Sequence, residues 1–303
     1  MRILITGGSG FVGRRLCREL LTSGYQVVVL VRNLVRARRF LDNRVRIVEW
    51  QGPDKDIPAG AFDGVDGVIN LAGESIGSGR WTKAKKNRIL ESRVQTTRAI
   101  VKALAKLEVK PGVLVSASAV GYYGPRQDEE ITENASPGQD FLAGVCRAWE
   151  AEAYKAEEIG VRVATVRIGV VLGEGGALER MIPAFELYLG GPLGTGQQWF
   201  SWIHVDDLAR MIRFIIENPG LQGPVNGTAP EPLTMGNFCT VLGRVMDKPS
   251  WLPVPAFVLR LALGEMAEMV LYGQRVLPRK ALEAGFEFRY PSAEEALTAV
   301  LKR

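Results

Sequence analysis

Histidine occurs once in the 303 residues, at His204, so no multi-histidine metal site and no Ser-His-Asp triad built on another histidine can be assembled. Cys17, Cys146 and Cys239 are far apart and unpatterned, which argues against a disulfide framework or thiolate metal site and for buried thiols. No apolar run approaches the roughly 18 residues of a membrane span; the richest stretch, 256–272, is broken by Arg260, Glu265 and Glu268. The first residues enter a strand directly, without successive basic, apolar and cleavage regions, so a cytoplasmic location is expected. There is no internal repeat or low-complexity tract. Hydrophobic residues make up 47% and charged residues 23%, as in ordinary globular proteins. The net charge of +5 gathers in 32–46 and 83–93 without interleaved aromatics. It reads as solvated helix faces, or a patch for a phosphorylated small molecule, rather than a nucleic-acid surface.

What is present begins at residue 1. In MRILITGGSGFVG, Ile3, Leu4 and Ile5 read as a buried parallel strand, and Phe11 onward carries helical apolar spacing. Gly7, Gly10 and Gly13 between them permit backbone angles and close approaches that a Cβ would forbid. The helix N-terminus beyond the turn offers free N–H groups, including those of Phe11 and Val12, to a pyrophosphate. The spacing is G-x-x-G-x-x-G rather than the standard G-x-G-x-x-G; its place between strand and helix gives it weight.

The second strand, 26–31, ends in Val31-Arg32-Asn33, and no acid appears before Asp42. A protein selective for NAD would place an acid there for the ribose hydroxyls; Arg32 can instead pair with a 2′-phosphate, which favours NADP over NAD. Further strands are expected at 44–50, 67–71, 112–115 and 161–166. Between them lie a helix with Leu90, Val94, Thr97, Val101 and Leu104 facing inward and Arg93 on its flank, and another over 140–159. Strands alternating with helices imply an α/β fold, a Rossmann-like doubly wound parallel sheet over 1–172. The helix near 203–218 is expected to return to it, and 173–303 to form a smaller, mainly helical lobe. Ligands of such sheets lie at the strand C-termini. This makes Leu71, Ala72, Gly73, Arg93, Ser116, Arg167 and Val170 candidates for cofactor contact beside the glycine turn and Arg32. Gln197 to Trp202, with aromatics of exposed type in a glycine-rich setting, are expected to cover the cleft.

The segments TGGSGFVG, NLAG (70–73), SASAVGYYG (116–124) and WIHVDDLA (202–209) resemble the extended short-chain dehydrogenase/reductase superfamily of nucleotide-sugar epimerases and dehydratases. With NLAGESI, SRVQTT, RIGVVLG and GGPLGTGQQWFSWIHVDDLA, nearly the whole chain resembles its atypical "epimerase family protein" subgroup. In the superfamily a Tyr-x-x-x-Lys pair catalyses. Its lysine holds the cofactor ribose and lowers the tyrosine pKa, so that the phenol serves as acid or base. Here the residues four after each tyrosine are Val29, Arg126, Gln127, Glu158, Pro192, Val276 and Glu294, never lysine. Registering Glu150 with the superfamily's usual glutamate puts Leu142 at the tyrosine position and Cys146 at the lysine position. Arg93 stands where many members have asparagine.

Ser118 matches the superfamily's upstream serine. Tyr122 and Tyr123 are candidates for a relocated acid, and Glu74 for a base if partly desolvated. His204, followed by Asp206 and Asp207 at a helix start, reads as structural. The resemblance implies an NADP(H)-dependent epimerase-like or oxidoreductase-like enzyme with an altered acid/base set, acting on a small polar, nucleotide- or sugar-linked substrate. The alternative is a non-catalytic NADP(H) sensor. No metal, nucleic-acid or membrane partner is expected.

Overall fold

The computed structural model describes residues 1–302. The chain opens with β1 (Arg2–Thr6), α1 (Phe11–Thr22), β2 (Gln26–Val31), α2 (Leu34–Arg38), β3 (Arg46–Glu49) and β4 (Gly67–Asn70). There follow α3 (Lys83–Ala105), β5 (Val113–Ala119), the two-residue β6 (Glu130–Ile131), α4 (Phe141–Tyr154), β7 (Arg162–Ile168), β8 (Val170–Leu172) and α5 (Gly176–Glu186). Then come β9 (Trp199–Phe200), β10 (Trp202–His204), α6 (Val205–Glu217), β11 (Gly223–Gly227), β12 (Leu233–Thr234) and α7 (Met235–Met246). The C-terminal part adds α8 (Ala256–Leu263), α9 (Glu268–Leu271), β13 (Arg275–Val276), α10 (Arg279–Glu283) and α11 (Ala293–Leu301).

Seven strands form one parallel sheet in the order β11-β7-β5-β4-β1-β2-β3, the doubly wound architecture expected from the alternation. Its apolar runs are buried on both faces because side chains alternate along each strand. Ile3, Ile5, Val27, Val29, Val113 and Val115 pack on the side of α1 and α6. Leu4, Val28, Leu30, Val68, Leu114 and Val163 pack on the other, against Ile100 and Leu104 of α3 and Ala153 of α4. Strand order reverses at β1, which has β2 on one side and β4 on the other. Their C-terminal ends therefore open the crevice in which such sheets take ligands. A separate core, with Phe185 of α5, Phe200, Trp202, Phe238 of α7 and Leu297 of α11, supports the C-terminal part.

Four details differ from the sequence reading. β11 (Gly223–Gly227), expected in the C-terminal lobe, is an edge strand of the main sheet, because it pairs in parallel with β7. The buried residues of α3 include Ile89, Thr96, Thr97, Ile100 and Leu104, while Leu90, Val94 and Val101 are only partly covered. The helix contacts α4 as well as the sheet, so its buried stripe is turned from the one predicted. β5 runs on to Ala119 because its pairing with β7 continues through Ser118↔Arg167 and Ala119↔Ile168. Phe200 and Trp202 are core residues rather than exposed aromatics, and Trp202 has no exposed surface.

Candidate cofactor cleft

Gly7 has φ +72, and a Cβ on it would come within 2.7 Å of the Leu71 carbonyl, so the turn lies directly against the end of β4. A Cβ on Gly13 would stand 2.3 Å from Gly7 O and 2.6 Å from Gly8 Cα, which is how α1 starts flush against the turn. The Gly10 N–H bonds back to Gly7 O at 3.0 Å, and the helix ladder begins with Arg14 N–H to Gly10 O at 2.9 Å. No side chain caps the helix, and the N–H groups of Phe11, Val12 and Gly13 have no acceptor among the described residues. Three donors at the positive end of a helix thus face the crevice. Arg32, just past β2, is exposed and makes no hydrogen bond or ion pair among the described residues.

Leu71, Ala72 and Gly73 continue from β4 along the turn. A buried chain fixes them: Thr6 Oγ1 donates to Asn70 Oδ1 at 2.7 Å, Asn70 Nδ2 to Thr97 Oγ1 at 2.8 Å, and Thr97 Oγ1 to Arg93 O at 2.8 Å. Asn70 Oδ1 also accepts the Ala72 N–H at 3.3 Å. Asn70 escaped notice in the sequence although it opens the NLAG motif. Arg93 lies against Gly73, with its Nη1 donating to Glu74 O at 3.1 Å and Ile89 O at 3.0 Å.

Several candidates are placed elsewhere than expected. Arg167 is buried and its donors are taken by protein groups: Nε and Nη2 bond the two oxygens of Glu150, each at 2.9 Å, and Nη1 bonds Tyr123 OH at 3.0 Å and Glu133 O at 3.1 Å. Burial works against its charge, yet the hydrogen bonds to Glu150 hold its pKa above the ordinary arginine value. Tyr123 is fully buried, and its hydroxyl donates to Asn226 Oδ1 at 2.6 Å. Desolvation pushes its pKa up to about 12, which with the buried bond to Asn226 weighs against a relocated acid there. Ser118 Oγ donates to Glu150 Oε1 at 2.6 Å, so its proton is committed to the same carboxylate that Arg167 pairs with. It has no proton to offer a substrate carbonyl.

Glu74 is not the desolvated base anticipated. It stays partly exposed, pairs with Lys85 Nζ at 2.7 Å, and that hydrogen bond lowers its carboxyl pKa. Ser116 is sealed on β5. Val170 spends its N–H on Ser201 O at 2.8 Å in the connection to β10. Cys146, at the register's lysine position, is buried, and desolvation lifts its thiol to about 11, too high for a thiolate. Tyr122 alone among the candidate acids keeps a partly exposed ring and a hydroxyl without a partner among the described residues. The Arg167 guanidinium lies 3.4 Å from its ring centroid. His204 caps α6, its Nδ1 accepting the Asp206 N–H at 3.1 Å. Asp207 accepts the backbone N–H groups of Arg289 and Tyr290, each at 2.9 Å, and ties the C-terminal segment to α6.

The loop after Glu74 meets the C-terminal part. Arg80 donates to the carbonyls of Leu261 and Ala262 on α8, Lys86 pairs with Glu265, and Arg180 of α5 donates to Gly77 O. Trp81 stands edge-on to Phe141 at 5.4 Å. Trp199 is only partly buried and donates to Asp128 Oδ1 at 2.9 Å, leaving Gln197 as the exposed residue of its segment. The described residues contain no cluster of three metal-ligating side chains and no helix long and apolar enough to cross a membrane.

Comparison with known proteins agrees with this fold. A family model described as "NAD dependent epimerase/dehydratase family" matches residues 3–226, and a domain of unknown function, DUF1731, matches residues 254–300. The chain is 45% identical over 315 residues to "Epimerase family protein SDR39U1 homolog, chloroplastic" of Arabidopsis thaliana, covering 100% of this chain and 87% of that protein. It is 43% identical to "Epimerase family protein YfhF" of Bacillus subtilis, covering 99% and 98%. A crystal structure of human epimerase family protein SDR39U1 (isoform 2) with NADPH is similar over 100% of both chains, with TM-score 0.89 and 32% identity.

Proposed function

The chain belongs to the NAD dependent epimerase/dehydratase family, and from that premise we propose that it binds NADP(H) across the β1/β4 crevice. There it acts as an epimerase-like oxidoreductase on a small polar substrate, without a tyrosine–lysine pair. The observation that carries the cofactor reading is the pairing of two unspent groups. The open N–H donors of α1 suit a pyrophosphate, and the exposed, unbonded Arg32 at the end of β2 suits a 2′-phosphate where an acid would suit NAD. The human relative's structure with NADPH supports the same choice. NADP(H) would supply or accept a hydride; Tyr122 is the group left to move a proton beside it. Residues 1–172 with 203–218 would hold the cofactor, and the 74–81 loop with α8 would roof it.

A second reading, an NADP(H) sensor without turnover, is favoured by one observation: Ser118, Tyr123 and Glu74 are each committed to other partners. Calorimetry tests the shared premise. Arg32→Ala should cost NADPH about 1.5–3 kcal/mol, the worth of a charge-assisted contact, and leave NADH unchanged. Equal wild-type affinities for the two nucleotides would overturn it. Turnover on a panel of sugar nucleotides and carbonyls then separates enzyme from sensor.

A further inference from the structure

Arg93 is a cation at a position where many members of the superfamily have asparagine. Across the strand ends the order is Arg32 at β2, the glycine turn at β1, Gly73 at β4 and Ser118 at β5. The guanidinium lies flat on Gly73, where a Cβ would come within 3.0 Å of its Cζ and 3.2 Å of its Nη2. It therefore sits on the side of the pyrophosphate site opposite Arg32, where the other half of a dinucleotide must lie. Beneath it is the Trp149 ring, 5.1 Å from Cζ, on the α4 face that also carries Cys146 three residues earlier.

A buried charge is ordinarily paired, because desolvation otherwise disfavours it. Arg93 forms no ion pair among the described residues, and burial depresses its pKa. The two carbonyls bonded to Nη1 and the aromatic face offset part of that cost. Nε and Nη2 have no acceptor among the described residues, yet neither is sealed from solvent. Two donors of one guanidinium edge are thus left without a protein acceptor beside the end of β4.

We propose that Arg93 stands in for the absent lysine: a guanidinium on α3, in place of an ammonium at position 146 on α4, holds the hydroxyls of the nicotinamide-side ribose. This rests on the NADP(H) reading and extends it to a residue of this chain. The inversion is internally consistent, since a lysine at 146 would meet Arg93 as a like charge, while a small neutral cysteine leaves it room.

The test compares NADPH with 2′,5′-ADP, which retains the 2′-phosphate but has no second ribose. Arg93→Asn should weaken NADPH about tenfold or more, as expected for lost charge-assisted hydrogen bonds, and leave 2′,5′-ADP nearly unchanged. Because 2′,5′-ADP reports the folded fraction, the ratio is insensitive to partial unfolding. Adding Cys146→Lys to Arg93→Asn should restore the ratio. Should Arg93→Asn not fold, Arg93→Lys serves, with a smaller loss confined to NADPH. A ratio unchanged in the single variant, or unrestored in a double variant that still binds 2′,5′-ADP, overturns the assignment. A wild type that binds neither ligand overturns the NADP(H) reading itself.

Discussion

Replacing Arg167 by methionine removes the cation from a pair whose side chains are only 4% and 5% exposed. Glu150 then keeps a single hydrogen bond, from Ser118, while Tyr123 OH and Glu133 O each lose a donor. Breaking a buried pair from one side costs about 3–5 kcal/mol, a large share of the about 5–15 kcal/mol that holds a typical domain together. Arg167→Met should therefore lower the unfolding free energy extrapolated from urea titration, read by tryptophan fluorescence, by that amount. The double variant Arg167→Met/Glu150→Leu should recover much of it, because no charge is left stranded; the remainder, about 1–3 kcal/mol, reflects the unpartnered Ser118 hydroxyl. NADPH affinity, corrected for the folded fraction, should stay put in both. A double variant no more stable than the single would refute the buried-charge argument. A selective loss of NADPH binding in folded Arg167→Met would return the residue to the cleft.

Gly13→Ala should weaken NADPH binding at least about tenfold, because its Cβ would collide with Gly7 O and Gly8 Cα, both backbone atoms that cannot yield without opening the turn. Gly144→Ala, where a Cβ meets nothing within 4 Å, is the control and should be neutral or slightly stabilising. Burial lifts Tyr123 and Tyr154 from 10.0 to about 12, and Cys17 and Cys239 from 9.0 to about 12. The folded state thus keeps protons that the unfolded chain releases first, so this stability is intact below pH about 9 and is lost as pH rises towards 12. The Tm should fall steeply between pH about 9 and 11, less so in Tyr123→Phe; a flat profile in the wild type would contradict it.

The glycine turn and the apolar strands were legible in the sequence because their causes are local. Ile3-Leu4-Ile5 must be buried on both faces, and only glycines allow α1 to begin against β4. The stripe of α3 was not, since a slip from Ile89 to Leu90 turns a helix by about 100° and the 23-residue helix touches both the sheet and α4. Nor could residue type disclose that Ser118 and Arg167 point at Glu150 rather than at a ligand. Those bonds join positions 32 and 17 residues apart across different elements. Polar chemistry beside a cleft is legible as composition; the direction in which a buried donor points is set by packing.

The same network bears on whether the protein turns over. In a Tyr-Lys enzyme the serine offers its proton to the reacting oxygen and the lysine lowers the phenol pKa. Here the serine proton is drawn into Glu150, the lysine position is a neutral thiol, and the tyrosine position is Leu142. What survives beside the expected nicotinamide end is a cation on α3 and a phenol, Tyr122, lying face-on to the Arg167 guanidinium. Proton transfer by a placed group is worth about 10²–10⁴ in rate, so on the proposed reading Tyr122→Phe is the variant that separates an enzyme from a sensor. If Tyr122→Phe lowers turnover by that order while NADPH affinity holds, the cleft has kept catalysis by moving the phenol from α4 to the loop after β5. If wild type and variant are equally inert with NADPH bound tightly, the residues that replaced the pair have turned a reactive site into a binding site.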